Sequence, residues 1–482
     1  MFANTAKLTD GETVAADVCI VGGGLAGIAL ASTLLDTDTR VVLLESGSIG
    51  RSVEADHLSD GTSTGHPYWP LSEGAPRRLG GAADLWGAWC RPLDPIDYEK
   101  REWPWSGWPL TFEELAPYNE RAMQFLRLSE RGFAGTAWTD ELPALYRHIQ
   151  EATSLEVGVW QESSLAPLTE AVLASFDAAE NLAVYLGATA LEIQLREPGA
   201  ASAISVAGPA GKRFSVEASH FVLAGGALGV ARLLLVSDQQ QAGGVGNSHG
   251  MVGRFFAEHP HVVAGRIPVA RPSAGGRRRF AAIDRGLGGV RARIEMERPR
   301  AGIRAGVLLT EGVRRRENLL NVIGHLRPPS VEPPRAALEF FRALRHKDVR
   351  QAWRGIPSLL RELPDVLRVV YRRLLKRPRQ LELYVQAETC PNPESRVVLA
   401  AETDACGMRR PELQWRIGVP DKEQLARSAR LIGAELQSIG LGTLELEPWV
   451  TDPGEAWCVE PFGGMHLMGT TRMSTSPEHG VV

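Results

Sequence analysis

Six consecutive residues near the start of the chain, Gly22-Gly23-Gly24-Leu25-Ala26-Gly27, have the spacing G-x-G-x-x-G, and Glu45 follows them by about twenty positions. This run suits the binding of a dinucleotide pyrophosphate. Gly22 permits a tight turn, Gly24 lets backbone N–H groups approach the phosphates, and Gly27 lets a helix pack closely on a strand. Leu25 and Ala26 complete the turn, and Glu45, followed by Ser46, is placed to accept hydrogen bonds from ribose hydroxyls. The plain alternative is an ordinary glycine turn. The run alone does not separate FAD from NAD, because both present the same ADP half.

The elements needed to hold this turn are legible around it. An apolar strand at Val18 to Val21 enters the glycines, a helical stretch leaves them, and a second apolar strand runs from Val41 to Leu44, which makes a βαβ unit. Gly47 to about Glu130 is rich in Gly, Pro and Trp and reads mostly as ordered loop before a helix at Phe112 to Leu128. Strands are expected at Leu182 to Ile193 and Phe214 to Leu223, and a helix at Ala227 to Leu235. His261 to Leu326 reads as strand-rich. Arg335 to Lys376 reads as helical, with Leu338, Phe341, Leu344, Leu359, Leu363, Leu367 and Val370 at helical spacing among many arginines and lysines. A solvated basic face is the plain reading of that stretch, and a membrane-surface or acidic-substrate contact is the sharper one.

Bulk properties narrow the function. A chain of 482 residues implies more than one core. A net charge of −4 gives no global basic field for nucleic acid, so the expected partner is a small molecule. Cys19, Cys90, Cys390, Cys406 and Cys458 are scattered and include no C-x-x-C pair for a metal or redox centre, so no metal is expected. The first residues show neither a basic n-region nor an apolar stretch, and no apolar run approaches the roughly 20 residues that cross a bilayer. A cytoplasmic setting is the expectation.

Arg78-Leu79-Gly80-Gly81-Ala82-Ala83-Asp84-Leu85-Trp86-Gly87 with Arg91-Pro92-Leu93-Asp94-Pro95-Ile96-Asp97 is similar to the flavin-contacting loop of the glucose-methanol-choline (GMC) family of FAD-dependent oxidoreductases, which further segments also resemble. Trp103-Pro104-Trp105-Ser106-Gly107-Trp108-Pro109 resembles the segment framing the active-site entrance. Ala224-Gly225-Gly226-Ala227 resembles a strand-turn beside the cofactor, and Val252-Gly253-Arg254 with Glu258-His259-Pro260 the edge of the cofactor domain, where His259 is expected to be structural. Pro391-Asn392-Pro393-Glu394-Ser395-Arg396-Val397 resembles a strand entry of the substrate domain, and His466-Leu467-Met468-Gly469-Thr470-Thr471-Arg472-Met473 the H-x-x-G-T-x-R-M motif.

The resemblance implies an α/β fold: a Rossmann-like FAD domain from residues 1–110, 180–260 and 418–482, an entrance segment 111–179, and a sheet-and-helix substrate domain 261–417. It implies FAD held by Gly22, Gly24, Leu25, Ala26, Gly27, Glu45, Ser46, Arg78, Gly80, Gly81, Trp86, Gly87, Ala188, Ala224 and Gly225. Trp89 and His466 are expected beside the substrate. Alcohol oxidation removes a proton from oxygen while hydride leaves carbon for flavin N5, and a neutral imidazole of ordinary pKa about 6.5 suits the proton's part. His466, inside the motif, is therefore the expected base or hydrogen-bonding partner of the substrate hydroxyl. Leucine at position 85, where covalently flavinylated members carry histidine, implies dissociable FAD. The family continues beyond the position of Val482 into a segment with a second catalytic histidine or asparagine, which His479 does not replace, so the resemblance implies either a fragment or a chain that needs a complementary C-terminal polypeptide.

The expected reaction is oxidation of a CH–OH group to aldehyde or ketone, on a sugar, glycoside or polyol, with oxygen or another carrier as electron acceptor. The alternatives are a sterol or aliphatic alcohol oxidase, a flavin-binding chain inactive without its complement, and an NAD-dependent dehydrogenase.

Overall fold

The computed structural model describes residues 2–3, 8–163, 168–196, 199–268, 292–294, 301–329, 380–452, 454 and 463–482, with scattered positions between 353 and 364. The basic stretch expected to be helical lies almost wholly outside the described residues, as does Cys458.

The glycine turn sits at the centre of a seven-stranded sheet. Its strands are β1 (Phe2–Ala3), β2 (Glu12–Val21), β3 (Val41–Glu45), β7 (Leu182–Leu186), β8 (Thr189–Leu195), β9 (Ala201–Ala207) and β10 (Arg213–Leu223), in the order β1-β7-β3-β2-β10-β9-β8. The expected single strand from Leu182 to Ile193 is two strands, broken where Gly187 takes a left-handed φ of 66°. β2, β3, β7 and β10 run parallel. Strand β3, Val-Val-Leu-Leu-Glu, is buried along its whole length, as a strand covered on both faces requires. Val41 and Leu43 pack toward helix α1 (Leu25–Leu34), together with Ile20 and Ile28. Val42 and Leu44 join the opposite core with Leu228, Ala231 and Leu233 of the helix Gly226–Val236. Side chains of period two thus bind a helix to each face, the doubly wound arrangement.

A second, larger sheet pairs its strands antiparallel among the described residues. It contains β5 (Trp89–Cys90), β6 (Leu155–Glu162), β11 (His261–Pro268), β12 (Ala292–Ile294), β13 (Ala301–Leu309), β14 (Val322–Arg327), β15 (Gln380–Ala387) and β18 (Glu445–Leu446). One face buries Val307, Leu326, Leu383 and Val385 against Leu425, Ala429 and Ile432 of the helix Val419–Ser438. The other face is polar, because cross-strand neighbours share a face: His261 opposes Gln386, Tyr384 opposes both Val263 and His325, and Arg327 opposes Glu382. A three-stranded sheet, β16 (Arg396–Thr403), β17 (Arg409–Trp415) and β4 (Thr62–Gly65), completes the described strands. Packing distributes the segments across the expected boundaries at 179, 260 and 417. Val397, Leu413 and Trp415 join a core of the seven-stranded sheet, whereas β6 and the helix Val419–Ser438 belong with the large sheet.

Candidate active site

The turn between β2 and α1 is built as its glycines require. Gly22 has φ 111°, and a Cβ there would stand 2.6 Å from the Ala224 carbonyl oxygen. A Cβ on Gly27 would stand 2.0 Å from the Gly22 oxygen, so no side chain fits between helix and turn. Gly24 is different: a Cβ there would meet only the Ala224 oxygen, 3.9 Å away, leaving an open concavity in front of the backbone. Gly24 is also the N-cap of α1 and offers no side-chain hydrogen bond to the first-turn amides. Those amides lack a side-chain acceptor and match an anionic ligand.

Two loops lie on this turn. Gly80 donates its N–H to the Gly23 oxygen at 2.8 Å, and a Cβ on Gly81 would come within 3.1 Å of the Gly24 Cα. Glu45, buried at the end of β3, accepts the Gly23 N–H at 2.8 Å and the Gly47 N–H at 2.7 Å. Both carboxylate oxygens are thus anchored to the chain, with their remaining lone pairs available to a ligand.

A cleft of about 660 Å³ runs from these loops to the C-terminal segment. Gly22, Gly24, Leu25, Ala26, Glu45, Ser46, Gly81 and Trp86 line it. So do Ala188, Ala224 and Gly225 from the neighbouring strand ends, and Met465 and His466 at the far side. Gly27, Arg78, Gly80, Gly87 and Trp89 are not on its wall. Gly27 and Gly80 shape the turn from behind, and Arg78 pairs as a bridge with Ser48. Gly87 lies against the Trp89 indole, and Trp89 pairs with Glu162 at the edge of the large sheet. Of the two adjacent arginines of this loop, Arg77 is the one that reaches the cleft, held by Ser59 Oγ at 2.8 Å and Ser46 Oγ at 3.1 Å. Sequence spacing named its neighbour because the resemblance fixes the loop, not which side chain turns inward.

The entrance tryptophans take other positions. Trp103 donates to the Asn318 carbonyl at 3.2 Å, Trp105 packs on Phe255 and His479, and Trp108 on Tyr98. None of the three lines the cleft. His479 is exposed.

His466 stands at the cleft with an unexpected partner. Its Nδ1 is in hydrogen-bond contact with Nε2 of His259, whose Nδ1 lies 2.6 Å from Nε2 of His261. His259, expected to be structural, touches the residue expected to do chemistry. Glu258 fixes both. Its carboxylate accepts the backbone N–H of His259 at 2.8 Å, the backbone N–H of His466 at 2.9 Å and the Tyr68 hydroxyl at 2.7 Å. Glycines make this approach possible, since a Cβ on Gly463 would stand 2.4 Å from the Glu258 Cγ and one on Gly464 2.9 Å from the His259 ring. Met465, at φ 62°, directs the chain into His466.

Burial, offset in part by the Glu258 charge and reinforced by His466, lowers the His259 pKa to about 4. Burial, then the charges of His259, His466, Arg304 and His325, lowers His261 to about 3. One carboxylate oxygen of Glu258 and one ring nitrogen each of His259 and His466 lie within 4.8 Å of one another, but these groups are already engaged in the contacts above. The signal for this cluster in the sequence is Glu258-His259-Pro260-His261 together with Gly463-Gly464 ahead of His466. Only the fold reveals that the two segments meet.

No family model and no curated protein matches the chain. Among solved structures, the crystal structure of pyridoxine 4-oxidase from Mesorbium loti is similar at TM-score 0.52 and 17% identity, covering 96% of this chain and 90% of that one. Formate oxidase follows at TM-score 0.49 and 14% identity, covering 98% and 91%. A formate oxidase variant from Aspergillus oryzae RIB40 gives TM-score 0.49 and 15% identity, again with 98% and 91% coverage. The first of these likenesses shows a shared fold over nearly the whole of both chains.

Proposed function

We propose that the chain is a GMC-type oxidoreductase that binds FAD without a covalent link and oxidises a CH–OH group to an aldehyde or ketone. The observation that carries this reading is the single cleft joining the Gly22–Gly27 turn to His466. Bound flavin supplies the two-electron acceptor that no side chain of the chain provides.

The chain's own residues divide the remaining work. The uncapped start of α1 and the open space before Gly24 take the pyrophosphate. Glu45 offers its remaining lone pairs to ribose, and Arg77 adds a cation beside Ser46. Trp86 covers the cleft from the loop side. His466 takes the proton from the substrate hydroxyl, in a ring orientation set by His259 and by the Glu258 bond to its backbone. Removing that proton favours departure of hydride from the same carbon.

Within this reading the substrate is a sugar, glycoside or polyol. Support comes from the polar groups that continue behind His466, through His259 and His261 to Tyr384 on the polar face of the large sheet. A sterol or aliphatic alcohol would call for a mainly apolar setting. The described cysteines Cys19, Cys90, Cys390 and Cys406 are free thiols, which fits a reducing, cytoplasmic setting. No helix among the described residues is long and apolar enough to cross a membrane.

The test is spectroscopic. The purified protein should show oxidised-flavin absorbance that denaturation releases, and anaerobic addition of a polyol or sugar should bleach it. His466→Gln should keep the bound flavin and lose the bleaching. Nicotinamide turnover by flavin-free protein would overturn the reading.

A further inference from the structure

Three imidazoles run in single file from the cleft into the protein. His466 meets His259 through Nδ1 and Nε2, with ring centroids 4.5 Å apart. His259 meets His261 through Nδ1 and Nε2 at 2.6 Å, with the rings nearly stacked at 29°. Each contact holds one hydrogen, so the protonation of one ring dictates that of the next. If His466 is to accept a proton at Nε2, the nitrogen left outside the chain, its hydrogen must lie on Nδ1. His259 Nε2 must then be a bare acceptor, which places the hydrogen of His259 on Nδ1 and requires His261 Nε2 to be bare as well.

We propose that His259 and His261 are positioning residues that lock His466 into the Nδ1–H tautomer, so that its Nε2 is the base facing the substrate. The inference rests on the reading of His466 as proton acceptor. The proton step balances simply: the substrate O–H bond breaks, an N–H bond forms at His466 Nε2, and the Nδ1 hydrogen remains shared with His259 Nε2. The positive charge so formed on His466 has a carboxylate close behind it, because a Glu258 oxygen lies 3.8 Å from His259 Nε2. This is the role that a carboxylate or carbonyl partner plays for a catalytic histidine elsewhere.

The groups around the chain suit it to this part. Glu258 faces His259 and receives the Tyr68 hydroxyl. Tyr384 packs edge-on against His261 with centroids 5.8 Å apart, and Arg304 and His325 lie on β13 and β14 of the same sheet. Burial above all keeps His261 neutral near pH 7, with the Arg304 charge acting in the same direction, and burial keeps His259 neutral. Neutral rings remain acceptors, so neither competes with His466 for the proton it has taken.

The test uses the whole flavoprotein and two independent readouts. In protein labelled with 15N-histidine, the His466 signals, assigned by their loss in His466→Gln, should show a protonated Nδ1 and a bare Nε2. A protonated Nε2 at neutral pH overturns the proposal whatever the activity. In kinetics, His259→Leu should slow substrate-driven flavin bleaching about 10²-fold, leave KM within about threefold, retain flavin, and move the acid limb of the pH profile to lower pH. His259→Asn, which keeps an acceptor, should recover part of that loss. His261→Asn, which leaves the first contact intact, should act in the same direction by about tenfold. Should His259→Leu bind flavin and keep both its rate and its pH limb, the positioning role is wrong. Should His259→Leu not fold, the rate and pH limb of His261→Asn decide between the same two outcomes. If wild-type protein bleaches with no alcohol yet His466 shows the Nδ1–H tautomer, the proposed reaction fails and the positioning stands.

Discussion

Glu258 holds the backbone of His466: the carboxylate Oε2 accepts the His466 N–H at 2.9 Å while also accepting the Tyr68 hydroxyl at 2.7 Å. With Oε1 bonded to the His259 N–H, the buried carboxylate receives three donors and needs both oxygens as acceptors. Glu258→Gln places an NH2 group against at least one of those donors. The substitution should cost about 1–3 kcal/mol, measured by chemical denaturation, and should lower kcat more than flavin affinity, because the loop carrying His466 is what loses its anchor. An unchanged kcat would mean that this loop is held by other contacts.

Two glycines of the turn should separate stability from cofactor binding. A Cβ on Gly27 collides with the Gly22 oxygen at 2.0 Å, whereas one on Gly24 stands in open space. Gly27→Ala should therefore lower the melting temperature of apoprotein and holoprotein alike. Gly24→Val should leave the apoprotein melting temperature nearly unchanged while weakening FAD binding at least tenfold, measured by fluorescence titration. Equal flavin affinity in Gly24→Val and wild type would show that the pyrophosphate lies elsewhere.

The Arg232–Asp404 ion pair, at 2.7 Å with side chains 3% and 0% exposed, links the helix Gly226–Val236 to the turn between β16 and β17. Removing one partner leaves a buried charge without compensation, at about 3–5 kcal/mol. Asp404→Ala should show that loss in a urea or guanidinium titration. The double variant Arg232→Met with Asp404→Leu should recover much of it.

His259, at about 4, and His261 and His325, each at about 3, titrate below the ordinary histidine value because of burial. As pH falls from about 6.5 toward those values, the unfolded chain binds more protons than the folded one, so stability decreases. Below them both states are protonated and this contribution stops growing. Denaturation midpoints measured between pH 7 and pH 4 should fall, and His325→Asn should flatten the slope. A slope identical in that variant would assign the effect to other groups.

Much of the half built on the seven-stranded sheet was legible in the residue order because it is local. Gly22, Gly24 and Gly27 sit within one turn, Glu45 ends the next strand, and the glycines can be read from the steric demands of that turn. The βαβ unit followed from short apolar runs on either side. The strand break at Gly187 was less visible, since continuous apolar spacing does not show where the backbone reverses hand. Arg77 was missed in favour of Arg78 because adjacent side chains point apart, and which one enters a cleft depends on the loop's path.

By itself the sequence determined the glycine turn and the strands and helix that hold it, each a matter of residue type within a few neighbours, while His466 was singled out by the resemblance of residues 466–473 to the H-x-x-G-T-x-R-M motif. Only the tertiary structure decided that Glu258, His259 and His261 gather behind His466, more than two hundred positions away. It likewise decided that Trp103, Trp105 and Trp108 anchor loops outside the cleft. The physical reason is that a hydrogen-bonded side-chain network is fixed by where strands β11 and β15 and the C-terminal loop come together. Spacing along the chain carries no information about such contacts until the cores on either side have packed.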